Sequence, residues 1–151
     1  MNESEQAQAY LRGQEQQRAA RKAYDGARTQ AKAAQAQIDK GKAMYLAGTK
    51  MMVDAYELEE QLANDTKLTH HDAQAVDAKM RKLRKDARRT RMDGQKERRA
   101  GEKLLRAARV AQDKASKDAR IARGVVEENN GAPRPKKPSH GFDNLLAWEE
   151  A

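Results

Sequence analysis

The sequence predicts an all-α chain: a long antiparallel helical hairpin, coiled-coil-like, closed along an Ala/Gly seam and followed by an extended C-terminal tail. Three observations lead there. No proline occurs before Pro133, so nothing ahead of it forbids helix on steric grounds. A single cluster of turn-forming side chains, Asn64, Asp65, Thr66 and Thr69, interrupts the helical pattern. Small residues recur at every seventh position on both sides of that cluster.

The first helix should occupy residues 5–62, a stretch rich in Ala, Gln, Lys, Arg and Glu, the strong helix formers. One heptad column runs Tyr10, Gln17, Tyr24, Ala31, Ile38, Tyr45, Met52. Three residues later runs a small one: Gly13, Ala20, Ala27, Ala34, Gly41, Gly48, Ala55, then Leu62. A turn over 63–69 follows, and Thr69 with Asp72 forms a capping-box-like start for a second helix over 70–127. In that helix Val76, Leu83, Thr90, Glu97, Leu104 and Ala111 make one column; Ala73, Met80, Ala87, Gly94, Gly101, Ala108, Ala115 and Ala122 make the small one. Together the helices and turn form a hairpin domain over 1–128. Asn129, Asn130 and Gly131 end it and open a Pro/Lys linker over 129–141, which leads to a C-terminal docking segment over 142–151.

Glycine inside a helix costs about 1 kcal/mol relative to alanine. Of the six glycines from Gly13 to Gly101 only Gly26 lies off the small columns; Gly13, Gly41, Gly48, Gly94 and Gly101 all lie on them. Folding about the turn pairs Leu62 with Ala73, Ala55 with Met80, Gly48 with Ala87, Gly41 with Gly94, Ala34 with Gly101, and Gly13 with Ala122. Gly13, Ala34, Gly41, Gly48, Gly94 and Gly101 are therefore the expected helix-packing seam. Two alternatives stay open at this level: the small columns could join different subunits, and the glycine-free, proline-free turn could open into a continuous rod.

The chain carries 31 Lys and Arg against 23 Asp and Glu, a formal charge of +8. Residues 79–123 hold 18 of the basic and 6 of the acidic residues, a local excess of +12, while each flank carries −2. Such a block seeks phosphate, an anionic surface or an acidic protein. The candidate contacts for nucleic acid or an acidic partner are Arg84, Lys85, Arg88, Arg89, Arg91, Lys96, Arg98, Arg99, Arg106 and Arg109. No aromatic residue or base-reading motif accompanies them, so contact with DNA would run through phosphates, salt-dependent and indifferent to sequence. The competing reading is a solvated face balanced by Asp86, Asp93 and Glu97.

Other residues narrow the function further. There is no cysteine, which removes disulfides, thiolate metal sites and cysteine nucleophiles. His70 and His71 are adjacent and lack the i, i+4 spacing of helical metal pairs, so capping is expected there and neither metal nor cofactor. No nucleophile stands with a paired base, and no glycine-rich phosphate loop occurs; a non-enzymatic chain without a small-molecule substrate is expected. Met44, Met51, Met52, Tyr45 and Tyr56 suit a core or a subunit interface. No run of apolar residues reaches transmembrane length and the start is acidic, so a soluble chain is expected, touching membrane only after assembly, if at all. In the tail, Phe142, Leu145, Leu146 and Trp148 have the spacing of a short amphipathic turn that docks on a partner.

An Ala/Gln-rich first arm (Gln30, Ala31, Lys32, Ala33, Ala34, Gln35, Ala36, Gln37), a Met-rich middle and a basic second arm together resemble the small internal virion proteins of short-tailed bacteriophages. The likeness spans residues 6–123 and lacks the apolar N-terminal stretch of better-known members. It implies a homo-oligomeric ring or tube inside the capsid or tail, in contact with portal, tail or core proteins and with DNA, delivered to the host cell envelope during DNA ejection. Two other expectations stand beside it: a basic helical nucleic-acid-binding protein acting alone, and a capsid scaffolding protein.

Overall fold

The computed structural model describes residues 2–130 and contains two α-helices, α1 (Glu3–Asn64) and α2 (His70–Asn129), packed against each other as a helical hairpin. The linker beyond Asn130 and the docking residues Phe142, Leu145, Leu146 and Trp148 lie outside the described residues.

α1 begins two residues earlier than the pattern of apolar residues predicts, because Asn2 and Glu5 form a reciprocal cap. The Glu5 amide donates to Asn2 Oδ1 at 2.8 Å, and the Asn2 amide donates to Glu5 Oε2 at 3.2 Å. At the other end the Asp65 amide still reaches the Gln61 carbonyl, and Asp65 Oδ1 then accepts from the Lys67 amide, an Asx turn that redirects the chain. Thr69 caps α2 by accepting the Asp72 amide at 3.1 Å. α2 outlasts its expected end by two residues, and the Asn129 side chain donates back to the Val125 carbonyl at 2.7 Å.

The helices are divided between two compact units: Ala33–Lys103, which holds the turn, and residues 2–32 with 104–130. In the turn-bearing unit the buried residues are Ala34, Ile38, Gly41, Gly48, Ala55, Met80, Ala87, Gly94 and Gly101. No large side chain in the described residues is fully buried. The hydrophobic term is therefore modest per residue, and close van der Waals contact between backbones supplies much of the rest.

The glycines show how close that contact is. A methyl built on Gly41 would stand 2.6 Å from both the Gly94 carbonyl oxygen and the Arg98 amide nitrogen. One built on Gly94 would stand 2.6 Å from the Gly41 carbonyl oxygen and 2.8 Å from the Tyr45 amide nitrogen. At Gly48 the obstacles are Arg91 Cγ and the Ala87 carbonyl; at Gly101 they are Ile38 Cγ1 at 2.8 Å and the Ala34 carbonyl at 3.0 Å. Each glycine thus nests between two residues of the opposite helix four apart, and each buried alanine at this level, Ala34 or Ala87, faces a glycine.

In the other unit the buried set is Gly13, Ala20, Ala27, Ala108, Ala115, Ser116, Ala119 and Ala122. A methyl on Gly13 would meet Val126 Cγ2 at 2.9 Å and Val125 Cγ1 at 3.1 Å. Its nearest neighbours on α2 are therefore Val125 and Val126, three and four residues beyond the Ala122 with which the heptad pattern pairs it. Gly26 and Gly124 would meet nothing within 4 Å.

These contacts predict opposite signs for one substitution. Gly94→Ala and Gly41→Ala gain about 1 kcal/mol of helix propensity but force rigid backbones apart, and should lower the unfolding free energy by roughly 1–3 kcal/mol net. Gly26→Ala keeps only the gain and should raise it by about 1 kcal/mol. Urea denaturation followed by circular dichroism reads both; stabilisation by all three would contradict the described approach.

Candidate polyanion-binding face

With Met80, Ala87, Gly94 and Gly101 buried against α1, the direction of every other side chain in this part of α2 follows from about 100° per residue. Positions two and five residues beyond each buried one point away from α1. The first set reads Lys82, Arg89, Lys96, Lys103; the second, within the same unit, reads Lys85, Met92, Arg99. All seven are exposed, six are cationic and none is acidic. Successive heptads along each row are about 10 Å apart.

No ion pair or side-chain hydrogen bond among the described residues holds any of the six cations. Acidic residues keep to the flanks: Asp86 and Asp93 immediately before seam positions, Glu102 immediately after one. The outward face therefore carries a local positive potential that its own helix does not neutralise. Desolvation is small at such exposed ammonium and guanidinium groups, so a polyanion can replace counterions there at little cost.

Three arginines expected in the same set behave differently. Arg84, Arg91 and Arg98 stand four residues beyond buried positions, on the shoulder of the hairpin. Arg84 pairs with Glu59 of α1 at 2.5 Å, and both are part-exposed, so the bridge contributes well under 1 kcal/mol. The Arg91 guanidinium lies 4.7 Å from the centre of the Tyr45 ring and donates to the Tyr45 hydroxyl. Arg98 pairs with Glu102 at 3.5 Å. Arg84 and Arg91 are half-buried and join the two helices, so their guanidinium groups already have partners on α1. Arg88 is exposed on the flank beside Gln95 and Glu102; Arg106 and Arg109 are exposed on the other unit. Lys82 and Lys103, absent from the expected set, belong to the outward rows; their offset from the small column was the signal that could have found them.

His70 and His71 are both exposed at the start of α2, and Gln74 Nε2 lies 3.2 Å from His70 Nε2. Among the described residues no three His, Asp or Glu side chains come together in a way that would hold a metal. No helix among them is long and apolar enough to cross a membrane. Beside the glycine crossing, Gly41, Lys42, Tyr45, Leu46, Gly94, Gln95 and Arg98 line a half-open hollow of about 280 Å³. No protein-family model, curated protein or solved structure matches the chain.

The division between shoulder and outward arginines is measurable as stability. Arg91→Ala removes a cation–π contact and a hydrogen bond, and should cost about 1–2 kcal/mol. Arg89→Ala, on the exposed face, should stay within about 0.5 kcal/mol of the parent. Thermal or urea unfolding of the two variants side by side checks the assignment, and equal costs would refute it.

Proposed function

We propose that this chain is a non-enzymatic, multi-copy helical assembly protein whose α2 outer face engages the phosphate backbone of DNA. The observation that carries the reading is the pair of outward rows, Lys82, Arg89, Lys96 and Lys103 beside Lys85 and Arg99, with no acidic residue among them. Phosphate contact by Lys and Arg releases condensed counterions and is independent of base sequence. A regular cationic row on a helix suits that mode, since it offers charge at fixed intervals and no aromatic or amide group aimed at base edges.

The likeness of the Ala/Gln-rich arm, Met-rich middle and basic arm to internal virion proteins supplies the setting. In this reading the protein is a structural virion component, held with portal, tail or core proteins and working during DNA ejection. The remaining outer surface, on α1, is left for contacts between copies.

The test is duplex-DNA binding by the full chain across salt concentration. The expected result is binding without sequence preference whose log–log salt slope is about −0.9 per phosphate contacted. Reversing charge at Arg89, Lys96 and Arg99 together should weaken binding at least tenfold and flatten the slope by about three contacts. Arg84→Ala should leave affinity within about twofold. Binding that ignores the triple reversal would sink this reading.

A further inference from the structure

Most exposed large apolar residues in this protein are scattered, as is normal for a surface. Leu11 is five heptads from the next exposed large apolar residue of α1, and Met92, Leu104, Val110 and Ile121 on α2 share no heptad row. Leu46, Val53 and Tyr56 differ. They are 68%, 49% and 56% exposed, and their spacing of i, i+7, i+10 places them on one stripe along the side of α1. Thr49, half-buried, fills the remaining position, its hydroxyl donating to the Tyr45 carbonyl at 3.0 Å. Exposed Lys42 and Glu60 continue the row at its two ends. The stripe thus reads Lys42, Leu46, Thr49, Val53, Tyr56, Glu60, with the alternating three- and four-residue steps of a coiled-coil seam.

This row is complementary to itself when reversed. Two copies of α1 running antiparallel about a two-fold axis near residue 51 bring Leu46 against Tyr56, Thr49 against the near-isosteric Val53, and Lys42 against Glu60. Each layer then matches large with large, small with small, and cation with anion. Once one layer is aligned the heptad spacing aligns the others, so the independent support is the chemistry: opposite charges at the ends and equal-sized β-branched residues at the centre. A parallel pairing would instead oppose Lys42 to Lys42 and Glu60 to Glu60, which like-charge repulsion disfavours. An isologous two-fold contact is also the commonest way for identical chains to associate.

We propose that the Leu46–Thr49–Val53–Tyr56 stripe of α1 is the contact with a second copy of this chain, antiparallel and two-fold symmetric, closed at each end by Lys42 and the partner's Glu60. The proposal deepens the assembly reading above and rests on it. The stripe is carried by α1 and the cationic rows by α2, so the two can be varied separately.

Sedimentation equilibrium of the full chain over micromolar to near-millimolar concentration tests it, with circular dichroism confirming that each variant keeps its helix. Val53→Glu places a charge at the centre of the stripe and should abolish association. Lys42→Glu and Glu60→Lys alone should each weaken it about fivefold, and the two together should restore it. Duplex-DNA binding by the monomeric Val53→Glu chain should persist, with its salt dependence. A parent chain that stays monomeric throughout, a Val53→Glu chain that associates like the parent, or a charge swap that fails to rescue would each overturn the proposal. In the last two cases, association with DNA binding intact would leave the wider assembly reading standing; loss of DNA binding by the parent would count against that reading alone.

Discussion

The near-contact of the two backbones at Gly41 and Gly94 is the constraint on which the turn-bearing unit depends. Neither residue can carry even a methyl without displacing a carbonyl or amide of the opposite helix. At that spacing α1 and α2 meet through backbone atoms and alanine methyls, and bulky side chains are pushed to the shoulders. Tyr45, Met44, Met51 and Leu83 are accordingly only half-buried. A seam of Leu and Ile would have held the helices farther apart and drawn those residues inward. The shoulders here are instead fastened by polar and aromatic contacts, Arg91 over Tyr45 and Arg84 with Glu59.

That arrangement frees the outer faces for other work and explains their contrast. α2 spends its small residues on the seam and carries cations on the rows facing away from it. α1 spends its own on the same seam, and between Lys42 and Glu60 its outer row is apolar. A hairpin with a thin core gains little from burying large groups within itself, so its remaining apolar surface is available between copies.

How much of this was legible in the sequence differs from level to level. The hairpin was, because prolines are absent until Pro133 and because five of the six glycines from Gly13 to Gly101 share two columns that meet when the chain folds back. The turn was legible from Asp65 and Thr69, whose side chains accept the amides their spacing suggests. Helix ends were less so: the Asn2–Glu5 cap pairs two polar residues ahead of any apolar periodicity, where period carries no signal. The basic block was visible as a block, but its division was not. Arg84 and Arg91 differ from Arg89 and Lys96 only by their angle from Ala87 and Gly94, and that angle acquires meaning once the seam residues are known to be buried against α1. Phe142, Leu145, Leu146 and Trp148 lie beyond the described residues and stand as read from sequence.

Chemical footprinting tests the central claim most directly. Lysine acetylation of the full chain, read by mass spectrometry with and without duplex DNA, reports which ammonium groups the polyanion covers. The account predicts that DNA protects Lys82, Lys85, Lys96 and Lys103 while leaving Lys22 and Lys40 on α1 as reactive as before. Equal protection on both helices, or none on the α2 rows, would contradict it.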